Sequence, residues 1–204
     1  MVVLSAPVCH LLADLAIGQS ALDPSEHEYL VGIAMAVRDF SLGNDAAALP
    51  IGEDYRTAMT PDALYHLLDV RVVFVLSELA CGFVGVALLV LAIIAVKRAG
   101  GGVLARPLII GGAIPLAMAL ILGIAIAVDF SAFFVWLHGL FFADGTWTFP
   151  ADSLLIRALP FEFWVSCAVV WAGSMALFCL ISIGSGAVLE RRYAPSSSQP
   201  ASQE

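Results

Sequence analysis

Charged side chains are scarce in this chain. Only 13% of its 204 residues are Asp, Glu, Lys or Arg, whereas 61% are hydrophobic and the mean hydropathy is +0.96. A soluble domain ordinarily has about a quarter of charged residues and about half of apolar ones. The composition therefore excludes an ordinary soluble protein and indicates a membrane protein. The formal net charge of −8 would argue against nucleic acid or anionic lipid as a partner if it were spread evenly, but residues 19–70 carry most of the acids. We expect no nucleic-acid partner.

Motifs for cofactor chemistry are also missing from the sequence. The four cysteines, which lie in apolar stretches without close pair spacing, are Cys9, Cys81, Cys167 and Cys179. We interpret them as small apolar residues, neither a disulfide framework nor a zinc site. There is no HExxH zinc motif, no GxSxG nucleophile motif and no phosphate-binding loop. We therefore expect no metal ion and no soluble cofactor.

What the sequence does contain is long apolar blocks. A helix needs about 20 predominantly apolar residues to cross the hydrocarbon core of a bilayer. Blocks of at least this length run over residues 72–96, 107–128 and 163–188. The sequence therefore predicts three clear transmembrane helices.

Basic residues predict the sidedness of these helices, because short loops rich in Lys and Arg remain cytoplasmic. Such residues occur in the turn 97–106 and at the start of the tail 189–204. We therefore place this turn and this tail in the cytoplasm. The segments 19–71 and 129–162 then lie on the exoplasmic side, the second of them as a loop.

The first stretch, residues 1–18, is apolar but contains Pro7, His10 and Asp14. It is either a cleaved signal peptide or the end of a first transmembrane helix whose earlier part is missing. A signal peptide begins with basic residues and ends at a small-residue cleavage site. Because neither is evident, we favour a truncated first transmembrane helix.

The exported segment 19–71 has the patterns of two helices. One has an N-cap signal at Asp23 or Ser25. The other begins at Thr60 and Pro61 and continues into the apolar block that follows.

The predicted fold class is an all-α membrane protein with about four transmembrane helices, the first short or truncated. A small exported helical segment lies between the first and the second. The tail 189–204 is rich in Ser, Pro and Gln after Tyr193, and this composition predicts disorder.

Two clusters of polar side chains fall at the predicted exoplasmic face. In the first, His66 and Asp69 are three residues apart, so they are neighbours on a helix and the carboxylate could fix the imidazole tautomer. The second cluster contains Asp129, His138, Asp144 and Trp147. A histidine in an aromatic run is often a satisfied interior group, and tryptophans often anchor a protein at the membrane interface.

The common depth of the two clusters nevertheless favours a functional site. A neutral imidazole can accept a proton from an amine or hydroxyl and return it to a departing alkoxide, as in acyl transfer. We therefore predict His66 and His138 as catalytic residues. The predicted supporting residues are Asp69, Asp129, Asp144 and Trp147.

Two stretches of the chain carry a family resemblance. They are YHLLDVRVVF, which starts at Tyr65, and DFSAFFVWLHGLFFADGTWTFPADSLLIRALPFEFW, which starts at Asp129. Both resemble the bacterial integral membrane family that contains the lipoprotein intramolecular transacylase, Lit. The matching positions are His66, Asp69, Val70, His138, Phe141, Phe142, Trp147, Phe149, Leu155, Ile156, Pro160, Phe163 and Trp164. The resemblance implies a four-helix membrane protein with an exported portion between its first two helices.

The resemblance also implies an activity and a location. The transacylase moves an acyl chain of a lipoprotein's diacylglyceryl group to the amine of its N-terminal cysteine, and His66 and His138 would be the central pair. The implied partners are bacterial lipoproteins and membrane lipid, at the exoplasmic side of the cytoplasmic membrane. Two other hypotheses stay open: a non-catalytic assembly partner or small-ligand carrier with structural histidines, and a lipid hydrolase in which the histidines activate water.

Overall fold

Helices dominate the structure of the protein, a computed structural model that describes residues 5–19, 23–44 and 48–194. The helices are α1 (Ala6–Gly18), α2 (Pro24–Ser41), α3 (Pro61–Ala99), α4 (Ala105–Val128), α5 (Phe130–Phe141), α6 (Leu154–Ala158) and α7 (Phe161–Tyr193). A short 3-10 helix, Gly101–Leu104, precedes α4. In the described ranges there is no strand, only an isolated bridge between Ile51 and Met59. The predicted all-α class is confirmed.

Three helical segments are long and apolar enough to cross a membrane. They are Pro61–Ala99, Gly101–Val128 and Phe161–Tyr193, and their most apolar stretches are almost entirely unburied. Exposed apolar side chains of this density would be unfavourable in water and are favourable in lipid. The 39 residues of α3 exceed the about 20 that one crossing needs, so this helix also includes residues outside the hydrocarbon.

The chain divides into two compact units, of which the first comprises Met1–Gly82 and Leu122–Ser174. Its core lies where α1, α2 and α6 pack together. Small residues at the contacts, which allow close helix approach, include Ala13, Ala16, Ala34 and Ala158. The N-cap of α2 is Asp23, one of the two predicted positions, and its carboxylate accepts a hydrogen bond from the Ser25 backbone N–H at 2.9 Å.

Polar contacts hold the segment before α3 against α6 in this unit. Arg157 of α6 forms an ion pair with Glu26 of α2. Arg56 pairs with Asp152 at 2.8 Å between Nε and Oδ2. These links connect parts of the chain that are far apart in sequence.

Several boundaries differ from the sequence-based expectation. Residues 129–162, predicted as a loop, contain α5 and α6, because Asp129 caps an apolar run that can form a helix. The helix α7 continues to Tyr193, inside the segment predicted as the cytoplasmic tail. The predicted disorder of residues 195–204 lies outside the described residues. With 13 residues, α1 is shorter than a membrane span, and its origin as a truncated transmembrane helix stays a prediction.

The second unit comprises Phe83–Ile121 and Met175–Glu204. Glycines bring α4 and α7 together in it: a Cβ atom at Gly112 would lie 2.7 Å from the Cys179 carbonyl oxygen. Ser182 Oγ also donates a hydrogen bond of 2.8 Å to the Leu108 carbonyl. Close backbone approach at small residues is typical of helix pairs in membranes.

We expect Gly186→Ala to lower the thermal stability of the protein. A Cβ atom there would lie 2.6 Å from the Ala105 carbonyl oxygen and 2.7 Å from Ile109 Cγ1. Overpacking of this kind costs about 1–3 kcal/mol. The matched control is Gly184→Ala, because no atom lies within 4 Å of a Cβ at Gly184. Thermal unfolding in detergent measures both, and equal Tm values would contradict the prediction.

Candidate functional site

The candidate site is a cavity of about 190 Å³ within the first unit. Side chains of α1, α2, α3, α5, α6 and α7, together with the segment between α5 and α6, form its wall. Most of them are aliphatic or aromatic. The wall can therefore hold hydrocarbon while it offers only a few polar atoms, which is the usual composition of a specific ligand site.

His66 enters this cavity from the second turn of α3. Only 8% of the surface of His66 is exposed, although many residues further along α3 are exposed. The ring lies among aromatic side chains, with centroid distances of 4.9 Å to Phe142 and 5.7 Å to Phe149. Nδ1 is buried and has no hydrogen-bond partner in the described part of the chain. A buried polar atom without a partner is rare in proteins and requires an explanation, such as a bound water, a catalytic role or a ligand.

His138 enters the same cavity from the last turn of α5. Its Nδ1 lies 2.9 Å from the Phe134 carbonyl oxygen. A carbonyl oxygen can only accept a hydrogen bond, so Nδ1 carries the proton of the neutral ring and Nε2 keeps its lone pair. Burial lowers the pKa of His138 from its usual value of 6.5, while the hydrogen bond to Phe134 opposes part of the shift. The ring is therefore neutral at neutral pH, with Nε2 able to accept a proton.

The two imidazoles face each other. Their centroids are 6.2 Å apart and their planes are inclined by 30°. They come from positions 72 residues apart in the chain, and Phe142 contacts both rings. The structure thus brings the predicted catalytic residues His66 and His138 together in one cavity.

Trp147 also belongs to the cavity. Its ring centroid lies 4.9 Å from that of His138. Its Nε1 is buried and, like Nδ1 of His66, finds no hydrogen-bond partner among residues 5–19, 23–44 and 48–194. Of the predicted supporting residues, Trp147 is the one that the structure places in the wall.

The three predicted supporting carboxylates lie elsewhere. Asp69 is exposed on α3, and no hydrogen bond among the described residues joins it to His66. Asp129 caps α5 by accepting a hydrogen bond of 2.9 Å from the Ala132 N–H. Asp144 is exposed in the turn after α5. None of these carboxylates forms part of the described cavity wall.

Residues that the sequence analysis did not single out also line the cavity. Arg38 and Ser41 of α2 are two of them, and the Arg38 guanidinium forms an ion pair with Asp39. Ala34, Arg38 and Ser41 recur at helical spacing beside the buried face of α2. This periodicity was the available signal that Arg38 faces the interior.

Reactive side chains in the wall include Cys9, Ser41 and Cys167. A serine or cysteine nucleophile is normally hydrogen-bonded to the base that activates it. Within the described ranges no such hydrogen bond joins them to His66 or His138. In the described part of the chain, these side chains therefore form no nucleophile–base pair with either histidine.

Among the described residues, no three His, Cys, Asp or Glu side chains are grouped in a way that could hold a metal ion.

Comparisons with known proteins identify the family. The family model described as "Lipoprotein intramolecular transacylase Lit" matches residues 34–164, which is well over half of the chain and includes both histidines. Neither a search of curated proteins nor a search of solved structures found a match. The match confirms the family resemblance, and the chain belongs to the lipoprotein intramolecular transacylase (Lit) family.

Proposed function

We propose that this protein is a bacterial membrane transacylase. It moves one acyl chain from the diacylglyceryl group of a lipoprotein to the amine of that lipoprotein's N-terminal cysteine, which gives lyso-lipoprotein. The observation that carries this proposal is the approach of His66 and His138 to 6.2 Å, between ring centroids, in the wall of one largely apolar cavity. Membership of the Lit family supports the lipoprotein as substrate.

The reaction needs little beyond positioning and proton transfer. The amine and the ester belong to the same substrate molecule, so holding them in contact supplies much of the rate advantage of an intramolecular reaction. A covalent enzyme intermediate is then unnecessary. This agrees with a site in which Ser41 and the cavity cysteines have no hydrogen bond to a histidine in the described structure.

His138 is the base in this proposal. Its Nδ1–H is held by the Phe134 carbonyl, so Nε2 is the atom that accepts the proton of the attacking amine. The resulting imidazolium then returns the proton to the departing glycerol oxygen. General acid–base catalysis of this kind contributes about 10²–10⁴-fold to a rate.

His66 acts on the leaving group. Its ring faces His138 across the cavity, and its Nδ1 has no partner in the described part of the protein. A hydrogen bond between the His66 ring and the glycerol oxygen stabilises the charge that develops as the ester bond breaks. The aromatic rings of Phe142 and Phe149 exclude water and favour transfer to the amine over hydrolysis.

The positions of basic residues along the chain support an exoplasmic site. Lys97 and Arg98 follow the span of α3, and Arg191 and Arg192 follow that of α7. His66 precedes the apolar part of α3, at the opposite end of that span. Because basic flanks remain cytoplasmic, the cavity faces the exoplasmic side, where the lipidated N-terminus of a lipoprotein lies.

The fragmentation spectrum of a reporter lipoprotein tests the function. The reporter is expressed with this protein in bacteria that otherwise leave the cysteine amine free, and its N-terminal lipopeptide is analysed by tandem mass spectrometry. Transfer within one molecule leaves the total mass unchanged, so the fragments must locate one acyl chain on nitrogen. An intact diacylglyceryl cysteine would contradict the proposal, and loss of one acyl chain with a free amine would identify a hydrolase.

We also expect a specific pH dependence of kcat/KM. Activity requires neutral His138, whose pKa lies below 6.5 because of burial, so the neutral form is lost only as the pH falls through that lowered value. As the pH falls below about 8, protonation of the substrate amine gives a first decline of slope one in the plot of log kcat/KM against pH. The slope should increase to two only below pH 6.5. An increase in slope at or above pH 6.5 would contradict the assignment of His138 as the base. The control is His10→Ala, which replaces an exposed histidine.

A further inference from the structure

The indole of Trp147 has a donor that the protein does not use. Its Nε1 is buried in the described structure and no residue there accepts its hydrogen bond. Buried tryptophan N–H groups usually find a partner. The exception therefore requires an explanation, and a bound molecule that accepts this hydrogen bond would supply one.

A second tryptophan in the same wall shows that the surroundings can satisfy an indole. Trp164 Nε1 donates a hydrogen bond to the Leu159 carbonyl oxygen at 3.1 Å. Trp147 packs against His138, in a segment without helical structure. The unpaired donor is therefore a feature of Trp147 and not of the cavity as a whole.

The turn before Trp147 holds the indole in place. Gly145 has a φ of +83°, which a residue with a side chain rarely adopts. The Thr146 hydroxyl donates to the Ala143 carbonyl at 2.8 Å, and its backbone N–H donates to the same oxygen at 3.2 Å. The indole ring then packs against His138, with centroids 4.9 Å apart. The indole ring is thus positioned beside the proposed base before any ligand binds.

An indole N–H can donate but cannot accept, so its partner must be an acceptor atom. In the proposed reaction the attacking amine must keep its lone pair for the carbonyl carbon. The glycerol oxygen is hydrogen-bonded to His66 in that reaction. Among the reacting atoms, the ester carbonyl oxygen is the acceptor that remains, and it is also the atom on which negative charge develops.

We propose that Trp147 Nε1 donates a hydrogen bond to the carbonyl oxygen of the migrating acyl chain. The inference rests on the proposed transacylase function. The amine nitrogen forms a bond to the carbonyl carbon, and the negative charge on the carbonyl oxygen is stabilised by the indole N–H. The bond from this carbon to the glycerol oxygen then breaks, while the amine proton passes through Nε2 of His138 to that oxygen. Trp147 is a catalytic residue in this scheme and not only a membrane anchor.

The test compares kcat and KM of Trp147→Phe with those of the natural protein, on a synthetic diacylglyceryl-cysteine peptide in proteoliposomes. Removal of one donor to such an oxyanion lowers kcat about 10²–10³-fold in other enzymes. We expect kcat to fall about 10²-fold and KM to change less than about twofold. Trp136→Phe is the control, because Trp136 is 54% exposed and lies outside the cavity wall.

A second substitution separates the donor from the ring. Benzothienylalanine at position 147, in which sulfur replaces the indole N–H, keeps the shape of the side chain and should lower kcat to the same extent. Wild-type kcat in this variant would overturn the inference while the transacylase function stood. Absence of transfer by the natural protein would overturn both.

Discussion

The His138→Ala variant should leave the reporter lipoprotein with its diacylglyceryl group intact and its cysteine amine free. The substitution removes Nε2, the only atom in the proposal that carries the proton from the amine to the glycerol oxygen. A loss of about 10²–10⁴-fold in the rate of transfer is expected from the size of general acid–base catalysis. Tandem fragmentation of the N-terminal lipopeptide measures it as the ratio of N-acylated to free-amine product.

Two further variants make this result interpretable. Alanine leaves space beside Phe134, whose ring centroid lies 3.9 Å from that of His138, and this space could disturb α5. His138→Gln retains an amide N–H for the Phe134 carbonyl but cannot accept a proton, so it should be equally inactive. His10→Ala removes an exposed imidazole outside the cavity and should retain full activity. Wild-type rates of transfer in His138→Gln would show that this histidine is structural.

The His66→Phe variant should lose transacylation without losing stability. A buried polar atom without a partner costs about 1–3 kcal/mol, and Nδ1 of His66 is such an atom in the described structure. A phenyl ring fits the aromatic contacts with Phe142 and Phe149 and removes this cost. We therefore expect an unchanged or higher Tm, by about 2–4 °C for each kcal/mol recovered. The acyl chain should stay on the glyceryl group.

Thermal unfolding in detergent and the reporter assay are run on the same preparation of His66→Phe. Inactivity together with an undiminished Tm identifies a residue retained for chemistry at the expense of stability. Activity equal to that of the natural protein would remove His66 from the mechanism. His10→Phe is the matched control, because it adds a phenyl ring at an exposed position of α1.

The membrane architecture was largely predictable. The apolar blocks 72–96, 107–128 and 163–188 all lie within helices that are long and apolar enough to cross a membrane. The length of an apolar block can be read from consecutive residues. Within the hydrocarbon, the backbone of such a block must form its hydrogen bonds inside the helix. The boundaries outside these blocks were less predictable. Residues 129–162 form two short helices because of capping by Asp129 and Ser153, a local signal that the aromatic composition obscured.

The meeting of His66 and His138 in one cavity was predicted from the sequence, but the position of the nearby carboxylates outside the cavity wall was not. Spacing alone makes Asp69 a neighbour of His66 on a helix. The rotation of α3 about its axis turns His66 into the core and leaves Asp69 exposed. Neighbours three residues apart on a helix can lie on the two sides of the boundary between core and solvent. Sequence spacing does not determine where this boundary runs.

The roles of individual polar atoms depended wholly on the tertiary structure. The sequence shows that Trp147 has an indole N–H, but not that this donor is buried without a partner whereas that of Trp164 is paired. In the same way, the hydrogen bond from His138 to Phe134 determines which ring nitrogen carries the proton and which keeps its lone pair.

The sequence by itself determined the helical membrane class, the family and the side chains that can transfer protons, because these depend on residue chemistry and on the lengths of apolar blocks. Only the tertiary structure decided which of those side chains meet. The cavity combines residues of six helices, and His66 and His138 approach within it although 72 positions separate them in the chain. Such contacts follow from the way whole helices rotate and pack so that apolar surface is buried. The spacing of residues within any one segment does not encode this arrangement.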